Sequence, residues 1–242
     1  MNQHQTYGGF CTRCQKDHFL TNQNTLAHGQ KLILELETRK SLVLDDVRFS
    51  TNILFGPARG QMFGVMLVRD TSGNTHSLKA FSGQFNGHYL VSGWVPPVFD
   101  LDAFHGLNDP EEKRIKALTA QLATTTDPQE QQRIKQERRT RSRELMRHIH
   151  QLYILKNFKG DTKPITAFFP KGRGIPTGAG DCCGPKLIQY AINNNLTPLG
   201  LSEFYFGAEN KSATRKHGTF YSSCTANCAP ILGFMLCGLR PL

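Results

Sequence analysis

Four cysteines in the last third of the chain fall in two close pairs. Cys182 and Cys183 are adjacent, and three residues separate Cys224 from Cys228. The chain has seven cysteines, an odd number grouped in pairs, which is not the pattern of a disulfide framework. Clustered thiols in a reducing compartment bind metals or catalyse reactions. We therefore expect a zinc site here. Its predicted ligands are Cys182, Cys224 and Cys228, and either Cys183 or His217 would complete or flank the site.

Both cysteine pairs precede segments that are predicted to be helices. A glycine-rich stretch at 170–180 leads to Asp181 as the N-cap of the first helix, and Pro185 would be an early helical residue. The second pair precedes the apolar segment 229–239, which is the last predicted helix. Helix starts stabilise thiolates through their unsatisfied NH groups and the helix dipole. Two helix starts could therefore converge on one metal ion.

A further group of candidate ligands lies in residues 1–24, which would form a small zinc knuckle or an N-terminal extension. Cys11, Cys14 and His18 have the spacing CxxCxxxH and could supply three ligands. A fourth ligand would be His28, a water molecule or a group distant in sequence, and a pair of free thiols is the alternative. Cys237 lies in an apolar run, and we expect it to be a small buried hydrophobic residue.

The elements that must position these residues can be predicted from periodicity and turn signals. Residues 25–38 favour a helix, and residues 62–81 have the pattern of a β-hairpin. Residues 199–207 favour a strand and 218–221 a short strand. The metal site is therefore expected to lie on a layered structure of strands and helices.

Two helices are predicted between the hairpin and the first cysteine pair. Asp109 and Pro110 have the residue types of an N-cap and a first helical residue, and acidic residues follow them. A second helix of about 25 residues is expected after Pro128. Residues 109–155 would thus form a helical hairpin.

The order of these elements resembles that of the zinc deaminases, which is helix, hairpin, metal helix, strand, metal helix. This resemblance implies an α/β fold, a cytidine-deaminase-like layered sheet with helices, in a domain at 25–242 with the helical hairpin as an insertion. Gly184 stands where the deaminase signature has glutamate, and the pair Cys-x-x-x-Cys is one residue longer than the signature pair. If the site is catalytic, Asp181 or Glu203 would move the proton, although Asp181 is equally explained as an N-cap and Glu203 as a strand residue.

Basic residues are concentrated in one part of the chain. The chain has 29 basic and 19 acidic residues. Twelve of the basic residues but only three of the acidic residues lie in the segment 133–173. A basic stripe is the electrostatic footprint expected for a nucleic-acid backbone, and a solvated helix face that only aids solubility is the alternative. The predicted nucleic-acid contacts are Arg133, Lys135, Arg138, Arg139, Arg141, Arg143, Arg147, Lys171 and Arg173.

Several short motifs point to a family that acts on RNA. They lie at 62–65, 80–83, 95–100, 177–187 and 217–224. Together they resemble the N-terminal accessory domain that is fused to some bacterial RluA-class pseudouridine synthases, over roughly residues 55 to 240. This resemblance implies RNA, either tRNA or rRNA, as a partner and a functional link to a pseudouridine synthase. It does not imply uridine isomerisation, because the synthase catalytic domain is absent.

Two other interpretations start from the same residues. The segment Asp181 to Tyr190 is similar to the nucleophile helix of NlpC/P60 cysteine peptidases, which would make Cys182 the nucleophile and His217 its base. A non-catalytic RNA-binding module with structural zinc would need no carboxylate at all. No apolar run is long enough to span a membrane and the polar start lacks a secretory pattern, so we expect a cytoplasmic protein.

Overall fold

The computed structural model describes residues 4–170, 174–176, 178–225 and 227–239. It shows a mixed α/β protein with small antiparallel sheets, in agreement with the predicted α/β class. The strands and helices are, in chain order, β1 (Thr6–Cys11), β2 (Lys16–Thr21), α1 (Leu26–Arg39), β3 (Gln61–Arg69), β4 (Thr75–Phe81), α2 (Leu101–Thr124), α3 (Pro128–Gln151), β5 (Ile154–Lys156), β6 (Thr162–Pro164), α4 (Cys183–Asn193), β7 (Thr197–Phe206) and α5 (Ala229–Met235).

The central sheet has three strands in the order β4-β3-β7, and β3 is antiparallel to both neighbours. The hairpin predicted at 62–81 is confirmed as β3 and β4. Asp70 closes its turn, because one carboxylate oxygen accepts hydrogen bonds from the backbone NH groups of Ser72 and Asn74. The third strand, β7, is almost entirely buried and brings the C-terminal third of the chain onto this sheet.

Helices α1 and α4 pack on opposite faces of the central sheet. Leu32 of α1 lies in one apolar cluster with Phe63 and Val65 of β3. Leu187 of α4 lies in a second cluster, with Met66 of β3. Odd- and even-numbered residues of a strand point to opposite faces, so β3 is buried on both sides. This explains why its sequence is an almost continuous apolar run.

The first helix of the helical hairpin begins earlier than its sequence predicts. Asp100 is the N-cap of α2, and its carboxylate accepts a hydrogen bond from the backbone NH of Ala103. Pro110 therefore lies inside the helix, and the prediction that the helix starts at Asp109 was wrong. The physical reason is packing: Phe104 is buried, and its ring centroid lies 5.0 Å from that of Phe99. Burial of this ring stabilises a helical turn that precedes the proline.

The second helix of the hairpin matches its prediction. Asp127 caps α3 through a hydrogen bond from the backbone NH of Gln129, and Pro128 is its first residue. Ile134, Leu145 and Ile149 form its buried side. The remaining sides of this helix are polar and carry the basic residues that the sequence analysis singled out.

The N-terminal residues form a β-hairpin of strands β1 and β2, which packs against α5. Glycines allow the two elements to approach closely. A Cβ atom at Gly233 of α5 would lie 2.5 Å from the carbonyl oxygens of Gly9 and Phe10 in β1. This contact brings residues from the two ends of the chain together.

Two C-terminal elements are shorter than predicted. Helix α5 ends at Met235 rather than at 239. The strand expected at 218–221 is reduced to a single bridge between Phe220 and Phe204 of β7. Among the residues that the structure describes, no helix combines the length and apolar character needed to cross a membrane.

Candidate metal centres

Three of the cysteines predicted to bind zinc come together. The sulfur atoms of Cys182, Cys224 and Cys228 all lie within 4.8 Å of one another. Cys182 is the N-cap of α4 and Cys228 is the N-cap of α5, so two helix starts do converge. The backbone NH groups of Cys228 and Ala229 donate to the carbonyl oxygen of Cys224, which fixes the short turn between the second pair.

The close packing of these thiols favours ionisation of one of them. Hydrogen bonding with Cys182 and Cys228 holds the pKa of the Cys224 thiol well below its usual range. The same interaction with Cys224 raises the pKa of the Cys182 thiol. All seven cysteines are free thiols, so the cluster is not tied into a disulfide. Metal binding would displace the remaining thiol protons, because the thiolate is the form that binds metals.

Cys183, the other candidate for this site, points away from the cluster. Its sulfur lies 3.4 Å from the carbonyl oxygen of Met62 and 3.7 Å from that of Ala80, so it is turned into the central sheet. One residue along a helix rotates a side chain by about 100°, which separates it from Cys182. At Gly64 a Cβ atom would lie only 2.6 Å from the Cys183 Cβ, so this cysteine fills a tight packing position.

Glu203 reaches the start of α4 from strand β7. Its carboxylate oxygen Oε1 accepts a hydrogen bond of 2.6 Å from the backbone NH of Gly184. Burial raises the pKa of this carboxyl group to about 7. A Cβ atom at Gly184 would lie 3.4 Å from the same oxygen. The Glu203 carboxylate therefore occupies the space beside the position where the deaminase signature has its glutamate.

Asp181 is held in a different environment. One of its carboxylate oxygens accepts a hydrogen bond of 2.8 Å from the hydroxyl group of Tyr153. Burial raises the pKa of Asp181, while this hydrogen bond opposes the increase. The structure does not show Asp181 as the N-cap of α4, because Cys182 has that position and the helix has no side-chain cap. The prediction of an Asp181 cap was wrong, since its side chain turns towards Tyr153.

His217 does not join the thiol cluster. Its Nδ1 accepts a hydrogen bond from the backbone NH of Gly207, and its Nε2 lies 3.1 Å from a carboxylate oxygen of Glu37. Its ring packs on Phe206, with centroids 4.7 Å apart. These contacts place His217 between β7 and α1, so the structure brings it neither to the metal ligands nor to Cys182 as a base.

A second ligand group forms between the N-terminal hairpin and the residues after α5. Ligating atoms of Cys11, Cys14, His18 and Cys237 all lie within 4.8 Å of one another. Cys237 is fully buried, as its apolar surroundings predict, but the sequence analysis did not recognise it as a potential ligand. His28, which the sequence offered as a fourth ligand, instead lies 2.9 Å from the Ser77 hydroxyl group.

Two further residues of the region were missed by the sequence analysis. Lys186 is 1% exposed, and its ammonium group donates to the carbonyl oxygens of Phe81 and Gly83. The hydroxyl group of Tyr7 on β1 accepts from the backbone NH of Glu203 and donates to the carbonyl oxygen of Tyr221. Of these two residues, only Lys186 could have been noticed in the sequence, because it is a lysine within the apolar run of α4.

The basic residues of α3 separate into two groups. Arg133 and Arg141 form ion pairs with acidic residues, including one from Arg141 to Glu111 of α2. On another side of α3, every fourth residue from Lys135 to Arg147 is basic. In the described parts of the chain, none of these four side chains has an acidic partner within ion-pair distance. We call this set the basic ridge, and its members are Lys135, Arg139, Arg143 and Arg147. Arg138 lies beside the ridge. Lys171 and Arg173 lie outside the described residues.

Comparison of the chain with family models, with curated proteins and with solved structures returns no match.

Proposed function

We propose that this protein is a zinc-dependent hydrolase that removes an amino group from a nucleobase within RNA. The observation that carries the proposal is the convergence of Cys182, Cys224 and Cys228 beside the buried carboxylate of Glu203. In the reaction, water adds to the base, ammonia leaves, and a carbonyl group replaces the amino group.

The three thiols fit zinc in donor type and in number. Zn–S bonds of about 2.3 Å place tetrahedral ligands about 3.8 Å apart, and the three sulfur atoms lie within 4.8 Å of one another, a limit compatible with that spacing. Thiolate ligands select soft and borderline metals over magnesium or calcium. In the described residues, no fourth Cys, His, Asp or Glu belongs to this group. Three protein ligands are typical of a catalytic zinc, which then supplies activation of a water molecule.

Glu203 is the group that would move the proton. Its carboxylate is fixed by the Gly184 NH at the start of the same helix whose N-cap, Cys182, is a predicted ligand. A carboxylate held by one oxygen keeps its other oxygen as an acceptor. Asp181, the other candidate, is held by Tyr153 instead. We therefore assign proton transfer to Glu203.

The element order gives further support to a deaminase-like arrangement. Helix α1, the β3–β4 hairpin, α4, β7 and α5 follow one another in the order that the zinc deaminases have, with the α2–α3 hairpin inserted. In this proposal a glutamate on the neighbouring strand takes the place of the one on the metal helix, and its carboxylate is bound by the backbone NH of Gly184.

RNA is the proposed substrate class because of the basic ridge and the resemblance to the RluA-class accessory domain. The ridge residues recur at every fourth position, so they follow one side of α3 over about 18 Å. Unpaired cations in such a row suit a chain of phosphates. The same resemblance supports a functional link to a pseudouridine synthase.

The test is incubation of the full chain with RNA that contains cytidine and adenosine, followed by nucleoside mass spectrometry. We expect conversion of one of these nucleosides, to uridine or to inosine. Glu203→Gln should reduce the rate at least about 100-fold, since general acid–base groups contribute at least that much. Glu209→Gln is the matched control, because this glutamate is exposed, and it should leave the rate unchanged. Equal rates for wild type and Glu203→Gln would contradict the assignment.

A non-catalytic RNA-binding module is the second candidate, and the burial of Glu203, which is 5% exposed, favours it. This candidate predicts unchanged nucleosides together with tight, salt-sensitive RNA binding. The cysteine-peptidase interpretation receives no support from the structure, because His217 is engaged by Gly207 and Glu37.

A further inference from the structure

We propose that Cys11, Cys14, His18 and Cys237 form a second zinc site, which is closed and joins the two ends of the chain. We call it the clasp site. It differs from the three-cysteine site in having four protein ligands, and therefore no open position for water or substrate. This inference does not depend on the proposed hydrolase activity.

The turn of the N-terminal hairpin gathers three of the four ligands. The backbone NH of Gln15 donates to the carbonyl oxygen of Cys11, which closes the turn that carries Cys14. His18 lies on β2, and its Nε2 is 2.9 Å from the Cys14 sulfur. Gln15 has a φ of 56°, a left-handed conformation that allows the chain to reverse over these few residues.

The fourth ligand is delivered by the packing of α5 on β1. A Cβ atom added at Gly9 would lie 2.3 Å from the carbonyl oxygen of Ala229. A Cβ atom added at Gly233 would lie 2.5 Å from the carbonyl oxygen of Gly9. Only glycine fits such contacts between backbones. The close approach brings the sulfur of Cys237, which follows α5, to within 4.8 Å of the sulfur of Cys11.

Three thiols and one imidazole are a ligand set of structural zinc sites, which are four-coordinate and tetrahedral. Two of the four residues, Cys11 and Cys237, are 1% and 0% exposed, so the bound ion would be shielded from solvent on that side. A metal here would cross-link residues 11 and 237, a contact that closes almost the whole chain into a loop. Closing long loops restricts the unfolded chain most.

The clasp site also bears on the three-cysteine site, because strand β1 runs between them. Cys11 ends this strand, while Tyr7 near its start donates to the carbonyl oxygen of Tyr221 and accepts from the Glu203 NH. The backbone NH of Ser223, next to Cys224, donates to the carbonyl oxygen of Thr6. Fixing β1 through the clasp site therefore also fixes the segment that leads to Cys224.

The test is zinc analysis of the purified full chain and of its variants. Removal of two clasp ligands in Cys14→Ser/His18→Ala should lose one zinc ion per chain, whereas His18→Cys retains it because a thiolate also binds zinc. Cys14 and His18 are only partly buried, so these variants should fold. Cys14→Ser/Cys237→Ser should also lose one ion. Leu236→Ala is its matched control, since it disturbs the same buried segment without removing a ligand, and it should keep the wild-type zinc content.

Cobalt substitution provides a second readout that does not rely on these variants. With Co²⁺ at both sites, added azide should change the absorption of the open three-cysteine site and leave that of the clasp site unchanged. In a Cys224→Ser/Cys228→Ser chain, we expect a tetrahedral thiolate spectrum that azide does not alter. A Cys14→Ser/His18→Ala chain with the full wild-type zinc content, or no tetrahedral cobalt spectrum in the Cys224→Ser/Cys228→Ser chain, would overturn the proposal.

Discussion

At the scale of single residues, the neighbouring cysteines Cys182 and Cys183 have different surroundings. The Cys182 sulfur lies with those of Cys224 and Cys228, whereas the Cys183 sulfur faces the carbonyl oxygens of Met62 and Ala80. A sequence pattern of two adjacent cysteines cannot separate these roles, because the direction of each side chain depends on where the helix begins. Here α4 begins with Cys182 as its N-cap.

This difference leads to a prediction for zinc content. Cys182→Ser should lose the zinc of the three-cysteine site, because serine is a poor zinc ligand. Cys183→Ser should keep it, since the serine hydroxyl group can donate to the same carbonyl oxygens. Metal analysis of the two purified variants distinguishes these outcomes, and zinc loss in Cys183→Ser alone would show that the ligand assignment is wrong.

A second prediction concerns the hydrogen bond from Tyr153 to Asp181. Tyr153→Phe removes the donor and leaves a half-buried carboxylate with an unmade hydrogen bond, which costs about 1–3 kcal/mol. Urea unfolding followed by circular dichroism should show this decrease in the free energy of unfolding. Tyr190→Phe is a suitable control because Tyr190 is only partly buried, and it should change stability by less than about 0.5 kcal/mol.

At the scale of elements, the start of helix α2 is determined by Phe104, which the capping signals in the sequence do not indicate. The sequence signals at Asp109 and Pro110 are genuine helix-start preferences, but burial of Phe104 starts α2 at Leu101. Hairpin β3–β4 and helix α3 were predicted well, because periodicity and local turn residues determine them. Local signals fail where a distant packing partner decides the boundary.

The role of Phe104 can be measured directly. Phe104→Ala should lower the free energy of unfolding by about 3–5 kcal/mol, because it leaves a cavity between α2 and the core. Leu107→Ala, one turn further along α2 at a position that is 37% exposed, should cost about 0.5 kcal/mol or less. Equal effects of the two substitutions in urea unfolding would contradict the anchoring role of Phe104.

The basic ridge of α3 gives a prediction for RNA binding. Replacing Lys135, Arg139 and Arg143 by glutamine should weaken binding and reduce the slope of log K against log salt by about 0.7 for each lost phosphate contact with single-stranded RNA. Fluorescence anisotropy with a labelled RNA over a range of salt concentrations measures both quantities. Replacing Lys113, Arg114 and Lys116 of α2 by glutamine is the control. Equal losses of RNA affinity in both triple variants would show that the basic ridge contributes only through the net positive charge of the protein.

At the scale of the whole molecule, the two ligand groups show how far sequence reasoning could go. Spacing along the chain predicted the grouping of Cys182, Cys224 and Cys228, and it singled out Cys11, Cys14 and His18. It could not find Cys237, because the contact with Cys11 joins opposite ends of the chain and depends on the packing of α5 on β1. It also favoured His217 as a neighbour of the site, whereas pairing with Glu37 holds this ring elsewhere.

Zinc analysis of the full chain before and after loss of the second cysteine pair tests both metal assignments together. We expect two zinc ions per chain in the wild type and one in Cys224→Ser/Cys228→Ser. The remaining ion would be the one held by Cys11, Cys14, His18 and Cys237. A folded wild-type chain without zinc would rule out both zinc sites, and the same zinc content in both proteins would rule out zinc binding by Cys224 and Cys228.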